Sequence, residues 1–366
     1  MRILHIAPFN IAGVPIEFVL AERVLGHYSR LVTLSKDRRD YQEDICLELP
    51  WMDSPSLQFA RRFVSDRRVL QKRNVREQIE QIPRAWKPRG WSEQTLVAFR
   101  DWIWERKVQP FLKEHQLLDF DLYQLDGGLG FLRSGKIIRQ LKQIGKKIVC
   151  CYLGSDLRLR GVIPTIDKVS DLNLTTEFDL QDLHPNIRHI FFPFNSQKFQ
   201  VRATENKVLR ICHSPTDRQA KGSEQIIAVV KKLEKRYPVQ LVLIENLTHA
   251  ETLDIKAKCD IMIDQLGELG YGISSLEALA MGIPTLTALT SEYAQYIPDH
   301  PFIRVDAENL EQKLIQVVTN REYRRGRGIA GRKWVEKYHD SRSVVAGILE
   351  IYRKKGWMDQ EGRFIG

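Results

Sequence analysis

Residues 264–286, DQLGELGYGISSLEALAMGIPTL, contain the strand-to-helix transition on which the fold prediction rests. An apolar strand ends at Asp264, a loop with three glycines follows, and Ser274 or Ser275 can cap the next helix. The unpaired N–H groups and positive dipole at such a helix start suit a phosphate. Glu277, one turn inside, can accept two hydroxyl hydrogen bonds, as from a ribose. The alternative is an ordinary capped helix with Glu277 in solvent.

The order of strand, loop and helix recurs in residues 209–233, LRICHSPTDRQAKGSEQIIAVVKKL. This predicted strand ends near His213, and Arg218 and Lys221 lie in the loop before the helix. Ligands usually bind at the carboxyl edge of an open α/β sheet, so two cations there would hold a diphosphate and stabilise it as a leaving group. The alternative is a solvated loop.

Short apolar runs alternate with amphipathic stretches up to about residue 290, which predicts an α/β fold with parallel sheets. The segment FFPFNSQKFQVRATENK, residues 191–207, separates two such series, and the boundary is expected between residues 195 and 206. The predicted strands are 3–7, 30–34, 121–125, 147–152, 172–175, 187–192, 208–213, 239–244, 261–264 and 285–286. The predicted helices are 16–26, 134–144, 223–237, 274–281 and 310–319, with a further helix-like stretch at 332–357.

Length and composition indicate a globular protein of two domains. The chain has 366 residues, of which 43% are hydrophobic and 28% are charged, so disordered and low-complexity classes are excluded. No apolar run is long enough to span a membrane, and no export signal is visible at the N-terminus. The five cysteines form no C-x-x-C pair and are interpreted as reduced thiols, which predicts a cytoplasmic protein.

The positive charge is concentrated in one insertion. Residues 61–90 contain ten basic and three acidic side chains, which is +7 of the formal net charge of +10. The surrounding stretch, residues 51–115, is predicted to be helical and holds five of the seven tryptophans. A basic amphipathic helix with Trp suits an anionic membrane surface. The alternatives are a solvated arginine face over a packed apolar stripe and, ranked last, single-stranded nucleic acid.

Together, the segments 209–233 and 264–286 resemble the donor-binding half of the GT-B glycosyltransferases, in particular the retaining enzymes of glycosyltransferase family 4. The family has an Arg and a Lys-Gly pair in the first loop, and G-F-G before E-A-M-A-x-G in the second. FFPFNSQKF (191–199), GSDLR (154–158) and residues 334–357 also resemble the family. The matching positions of the second loop are Gly270, Tyr271, Gly272, Glu277, Ala278, Leu279, Ala280, Gly282 and Pro284.

The resemblance implies two Rossmann-like parallel-sheet domains facing a central cleft, with a C-terminal helix that packs back toward the N-terminal domain. Residues 1–200 would form the acceptor domain with its insertion, residues 201–340 the nucleotide-sugar donor domain and residues 341–366 the crossover helix. Arg218 and Lys221 would bind the diphosphate and Glu277 the ribose. The phosphate oxygens would meet the backbone of Gly272, Ile273, Ser274 and Ser275.

Three positions depart from the family pattern. The family has two glutamates separated by seven residues around its G-F-G. The first of them falls on Leu269, so Glu268, Asp264 and Gln265 are the candidates for contact with the donor sugar. Arg218 lies closer to Lys221 than is usual in the family. Where many members place a histidine near the acceptor, the chain has Leu153.

The N-terminal half is expected to hold the acceptor. Gly13 lies at the first strand-to-helix turn, where the family has a Gly-rich loop close to the donor phosphates. Two later predicted strands end beside polar and glycine residues on the same sheet edge. Ordinary turn chemistry is the alternative for these acceptor candidates, which are Asp126, Gly127, Gly128, Ser155, Asp156 and Arg158.

Other chemical motifs are weaker. GFLRSGK at residues 130–136 fits part of a P-loop, but Ile137 stands where Ser or Thr should bind magnesium. Asp119 and Asp121 form a D-x-D that precedes its strand, which favours an ordinary turn. The histidines lack metal-ligand spacing, so neither a metal nor a cofactor is expected besides the donor substrate.

The predicted function is transfer of a sugar from a nucleoside diphosphate sugar to a carbohydrate or lipid-linked acceptor, with retention implied by the resemblance alone. The expected location is the cytoplasm, including the inner face of a membrane; a nucleic-acid partner is not expected. One alternative is a GT-B nucleotide-sugar epimerase or hydrolase, which needs no second substrate. Another is a non-catalytic sugar-nucleotide or membrane-binding protein, because Leu269 stands where the family has its first glutamate.

Overall fold

The computed structural model describes residues 1–37, 39–51, 85–88, 90–267, 270–297 and 299–366. They form two compact units, of which the first contains Met1–Asp37, Tyr41–Phe191 and Val345–Gly366, and the second contains Phe192–Val344. Each unit has a parallel sheet with helices, which confirms the predicted α/β class.

The sheet of the first unit has a Rossmann-like strand order. Its strands in the described residues are β1 (Arg2–Ala7), β2 (Tyr28–Thr33), β3 (Ile45–Cys46), β4 (Leu122–Asp126), β5 (Lys147–Tyr152), β6 (Leu172–Thr175) and β7 (Ile187–His189). They pair in the order β3-β2-β1-β4-β5-β6-β7, and every pairing is parallel. The strand order changes direction between β1 and β4, which is where open α/β sheets bind ligands at their carboxyl edge.

Helices cover the first sheet and bury its central strands. The described helices are α1 (Val14–Val24), α2 (Trp91–Glu114), α3 (Lys136–Gln143) and α4 (Pro164–Asp167). Every residue of β4 is buried, as expected for a parallel strand covered on both faces. The core joins this sheet to α2 through Trp104 and Val108, and to α3 through Ile137 and Leu141.

The second unit has a smaller parallel sheet. Its described strands are β8 (Leu209–His213), β9 (Val239–Leu243), β10 (Ile261–Ile263), β11 (Thr285–Thr287) and β12 (Ile303–Arg304), in the order β12-β11-β10-β8-β9. The strand order of this sheet changes direction between β8 and β10. The described helices of this unit are α5 (Arg218–Lys221), α6 (Ser223–Glu234), α7 (His249–Lys256), α8 (Ile273–Ala280), α9 (Ser291–Tyr296), α10 (Leu310–Thr319) and α11 (Arg321–Tyr338). The last helix, α12 (Ser341–Lys354), begins in the second unit and continues in the first.

The C-terminal segment returns to the first unit, as the fold prediction required. Tyr352 of α12 is fully buried there and stacks on Trp357, with ring centroids 5.3 Å apart. The ammonium of Lys147, at the start of β5, lies 5.9 Å from the centre of the Trp357 ring. Aromatic burial therefore anchors the end of the chain on the first sheet.

The structure describes only part of the basic insertion. Residues 52–84 and 89 lie outside the described residues, and with them the predicted amphipathic stripe. The described part includes α2, which presents Trp91, Phe99 and Trp102 at 80%, 56% and 49% exposure. None of the helices in the described ranges has the length and hydropathy of a membrane span.

Candidate functional site

The ends of β8 and β10 form the floor of the candidate donor site. These neighbouring strands pair in parallel, with Ile211 opposite Ile261. At the end of β8, His213 Nδ1 lies 2.8 Å from the Ile263 carbonyl and Nε2 lies 2.7 Å from Ser223 Oγ. A carbonyl only accepts, so Nδ1 carries the proton and Nε2 accepts from the Ser223 hydroxyl. Burial lowers the pKa of His213, in keeping with this neutral, structural role.

Lys221 and Asp264 form a buried ion pair between the two loops predicted from the sequence. Lys221 Nζ lies 2.6 Å from Asp264 Oδ1, and the hydroxyl of Ser275 donates to Asp264 Oδ2 over 2.6 Å. Burial opposes ionisation of Asp264, but the Lys221 ammonium and these hydrogen bonds hold the pKa of the carboxyl below its usual value. The pair joins α5, the end of β10 and the first turn of α8.

Glu277 is buried between two basic side chains rather than in solvent. His249 Nε2 donates to Glu277 Oε1 over 2.6 Å, and Lys256 Nζ donates to Oε2 over 2.5 Å. Burial opposes ionisation, but Lys256 and His249 outweigh it and lower the pKa of Glu277. The solvated-helix alternative for Glu277 is therefore wrong, because the carboxylate is held as an anion inside the unit.

Arg218 lies on the same turn of helix as Lys221 but has different partners. Its Nε and Nη2 donate to the two carboxylate oxygens of Glu245 over 2.8 and 2.7 Å, and Nη1 donates to Glu224 over 3.1 Å. These hydrogen bonds raise the pKa of Arg218. Asp217 caps the turn by accepting from the N–H groups of Gln219 and Ala220. The guanidinium is accessible and would have to exchange Glu245 for a ligand anion.

The described residues of the loop before α8, 264–267 and 270–272, pack within the second unit. The Gln265 side-chain amide donates to the Gly270 carbonyl, so this candidate sugar contact supports the loop. Tyr271 stacks on Phe302 with centroids 4.8 Å apart, and its hydroxyl lies 2.9 Å from His339 Nε2. Glu268 and Leu269 lie outside the described residues, and with them the remaining sugar-contact prediction.

The start of α8 offers backbone donors to a ligand. Gly272 is its extended N-cap residue, and Ile273 and Ser274 are half-buried. The Ser275 N–H donates to the Gly272 carbonyl, whereas the N–H groups of Ile273 and Ser274 lack intrahelical partners by geometry. The Ser274 hydroxyl accepts from Lys256 over 3.0 Å. The first turn of α8 therefore contacts both the Lys221–Asp264 pair, through Ser275, and the Lys256–Glu277 pair, through Ser274.

In the first unit, Asp126 is buried at the end of β4 and binds His5. His5 Nδ1 lies 2.9 Å from Asp126 Oδ2, and His5 Nε2 lies 3.0 Å from Glu22 Oε2. Asp126 Oδ1 accepts from the Gln124 amide over 2.8 Å. Burial lowers the pKa of His5, but the two carboxylates outweigh it and raise it to about 10. Asp126 thus joins β4 to β1 and α1 at the change of strand direction.

Glycines also occupy two turns of the first unit. Gly127 and Gly128 both have positive φ, and a Cβ on Gly128 would come within 2.4 Å of the Tyr152 ring. Gly13 has φ +74° as the N-cap residue of α1, and a Cβ there would lie 3.2 Å from the Tyr41 ring. These positions favour glycine for steric reasons.

The remaining acceptor candidates follow β5. Asp156 accepts from the N–H groups of Leu153, Gly154 and Leu157 over 2.7–2.9 Å, which folds the loop around its carboxylate. Arg158 binds Glu177 and Asp179, whose charges outweigh burial and raise its pKa. Ser155 is exposed at the same turn. Asp156 and Arg158 therefore shape the loop, and Ser155 presents a hydroxyl to solvent.

Comparison with known proteins establishes the fold. Neither a family model nor a curated protein matches the sequence. Among solved structures, sucrose-phosphate synthase from Thermosynechococcus elongatus is similar with a TM-score of 0.61 at 13% identity, over 97% of this chain and 99% of that one. The chain has the GT-B fold.

Two other solved structures with the GT-B fold are also similar to this chain. A UDP-N-acetylglucosamine 2-epimerase matches with a TM-score of 0.55 at 12% identity, over 100% of this chain and 99% of that one. The Anabaena protein HepE, in complex with UDP and glucose, matches with a TM-score of 0.56 at 10% identity, over 97% and 100% of the two chains. The predicted GT-B fold is confirmed by these matches across nearly the entire chain.

The sequence pattern does not reveal the basic partners of Glu277. Its spacing marks His249 only as an isolated histidine, and it predicts no helix over residues 249–256. Two signals could have found them. Thr248 and Glu251 form a capping box at the start of α7, and His249 and Lys256 are two helical turns apart.

Proposed function

We propose that the protein is a glycosyltransferase that uses a nucleoside diphosphate sugar as donor and binds it in the second unit. The proposal rests on one observation: the Lys221–Asp264 pair and Glu277 come together at the start of α8. These groups adjoin the change of strand direction between β8 and β10, the usual ligand position in such sheets.

The residues suit the charge of a departing diphosphate. Lys221, Arg218 and the backbone N–H groups at the start of α8 would bind the phosphate oxygens, and these contacts strengthen as negative charge develops in the transition state. Glu277 would accept hydrogen bonds from the ribose. Transfer would need neither a metal nor a cofactor, because these cations meet the leaving-group charge. The resemblance to family 4 favours retention of anomeric configuration.

UDP-sugars are the first donors to test, since HepE was solved with UDP and a similar structure is a UDP-N-acetylglucosamine epimerase. Thermal-shift measurements with UDP, GDP and ADP and their sugars should show a higher melting temperature with one nucleotide class, because a ligand of the native state stabilises it. If none of these ligands raises the melting temperature or gives a calorimetric signal, the donor assignment fails.

A nucleotide-sugar epimerase or hydrolase is the second candidate, favoured by the epimerase among the similar structures. Incubation of the bound nucleotide sugar without an acceptor separates the two. A transferase should leave the donor largely intact until carbohydrate or lipid-linked acceptors are added. Rapid formation of free sugar or of an isomer would favour the second candidate, and binding without turnover under any condition would favour a non-catalytic protein.

We also propose that the first unit binds its acceptor at an anionic membrane surface. The exposed rings of Phe99 and Trp102 stack with centroids 5.9 Å apart, and the Arg106 guanidinium lies 3.4 Å from the centre of the Trp102 ring. Aromatic and cationic side chains of this kind suit the membrane interface. The charge of residues 61–90 would add electrostatic attraction.

A further inference from the structure

Two basic side chains of one helix hold both oxygens of Glu277. Helix α7 carries His249 at its first position and Lys256 at its last, two turns apart, so both lie on one helical face. His249 reaches Oε1 and Lys256 reaches Oε2 of the carboxylate. A neighbouring helix therefore fixes both the position and the rotation of the carboxylate that the proposed function assigns to ribose.

We interpret the contact between Lys256 and Glu277 as one that orients the carboxylate rather than one that stabilises the fold. Its side chain is 0% exposed, and its ammonium also donates to the hydroxyl and carbonyl of Ser274 over 3.0 and 3.3 Å. Dehydration of a buried pair offsets much of its attraction, so such pairs are weak evidence for stabilisation. This ammonium joins α7 to the Glu277 carboxylate and to the first turn of α8 at once, which sets their spacing.

His249 is the accessible member of the network. Its side chain is 28% exposed, whereas that of Glu277 is 4% exposed. The imidazole therefore lies beside the carboxylate at the accessible edge of the network, where the hydroxyls of a ligand can exchange hydrogen bonds with either group. Ribose offers a matching vicinal diol, because each hydroxyl can both donate and accept.

We propose that α7 makes Glu277 a selective site for the ribose diol, with His249 as a specificity-determining residue and Lys256 as a positioning residue. The inference rests on the proposed function, because it requires that Glu277 bind the ribose of a nucleoside diphosphate. A site built to hydrogen-bond a hydroxyl discriminates strongly against an analogue that lacks it, since the polar groups of the site are left unpaired. The protein should prefer UDP to 2′-deoxy-UDP.

The test is the ratio of the two dissociation constants, measured by titration calorimetry on the full chain. The wild type should bind UDP at least about tenfold more tightly than 2′-deoxy-UDP. His249→Phe should keep the fold and lose most of this ratio. Lys256→Met should also lower it, and Lys256→Arg, which restores the cation, should recover part of it. Asp254→Asn, on the exposed side of α7, is the matched control and should keep the wild-type ratio.

The outcomes separate the inference from the proposed function. If the wild type binds neither nucleotide, nor GDP or ADP, the proposed function fails and the inference fails with it. If the wild type binds UDP and His249→Phe keeps the wild-type ratio, the inference is overturned while the proposed function stands. An equal loss of affinity for both nucleotides would show a purely structural His249 and would also overturn it. If Lys256→Met does not fold, the His249→Phe ratio still decides.

Discussion

Lys221 Nζ and Asp264 Oδ1 lie 2.6 Å apart, although the two residues come from different predicted motifs 43 positions apart in the chain. Both side chains are buried, and the hydroxyl of Ser275 completes the group. The contact brings the two predicted loops together as one group of charged residues at the carboxyl edge of the second sheet. The same contact would link the proposed donor binding to the stability of the unit.

Replacing Lys221 by Met should destabilise the protein by about 3–5 kcal/mol, because Asp264 would be left as an unpaired buried anion. The double variant Lys221→Met/Asp264→Asn should recover much of this loss, since it removes the charge. Denaturant unfolding of the wild type, both single variants and the double variant gives the coupling energy. Nucleoside diphosphate binding should stay weak in the stable double variant. If the double variant bound the nucleoside diphosphate as tightly as the wild type, Lys221 would not belong to the donor site.

Arg218→Ala should separate binding from folding. Its guanidinium is exposed and paired with Glu245, so the unfolding midpoint should hardly change. Affinity for the nucleoside diphosphate should fall roughly tenfold or more, because charge-assisted hydrogen bonds to phosphate are lost. Arg236→Ala, an exposed arginine after α6, is the matched control. Equal affinities in the two variants would contradict a role for Arg218 in diphosphate binding.

His5 should remain an imidazolium at pH values where a free histidine is neutral. Its pKa of about 10 in the folded state lies above the ordinary 6.5. Its contribution to stability is therefore complete below pH 6.5 and is lost as the pH rises through about 10. NMR of the His5 ring should show no titration between pH 6 and 8. A transition near pH 6.5 would show that Glu22 and Asp126 do not hold the proton.

Two glycines of α11 should respond to alanine in opposite directions. A Cβ on Gly328 would lie 2.0 Å from the Gly282 carbonyl oxygen, whereas a Cβ on Gly326 meets nothing within 4 Å. Gly326→Ala should stabilise the helix by about 0.5–1 kcal/mol. Gly328→Ala should destabilise the protein by about 1–3 kcal/mol, as overpacking does. Thermal unfolding of both variants gives the comparison, and equal shifts would contradict the close packing of α11.

Membrane binding should depend on both charge and aromatic surface. Neutral replacement of Arg61, Arg62, Arg67, Arg68, Arg73 and Arg76 should reduce co-sedimentation with phosphatidylserine vesicles. The variant Phe99→Ser/Trp102→Ser should reduce it as well, because exposed rings would no longer enter the interface. Both variants should keep donor affinity. If the wild type does not bind anionic vesicles even at low salt, where attraction is least screened, the membrane proposal fails.

Much of the fold could be predicted because it depends on local pattern. The predicted helix at 310–319 has the same bounds in the structure, and the strand at 147–152 matches β5. The predicted strand at 187–192 ends at His189 instead. The two-residue strands β3 and β12 were not predicted, because so short a strand has no periodicity of its own. Their partners in the sheet define them.

The candidate site was predictable in its residue types but not in its pairings. Arg218, Lys221 and Glu277 follow strands at recognisable positions, so the sequence alone predicts them as site residues, and their roles stay a prediction. It could not show that Lys221 binds Asp264. Neither did it reveal that α7 supplies two hydrogen-bond donors to Glu277, since that helix has a capping box but little apolar periodicity.

The sequence by itself determined the α/β class, the two series of strands and the strand ends that carry charged residues, because these depend on hydrophobic period and turn chemistry along the chain. Only the tertiary structure decided which charges meet. Asp126 became the partner of His5, and Glu277 became the partner of His249 and Lys256. The physical reason is burial: an ion removed from water must find a counter-ion, and that partner is set by packing between elements distant in sequence.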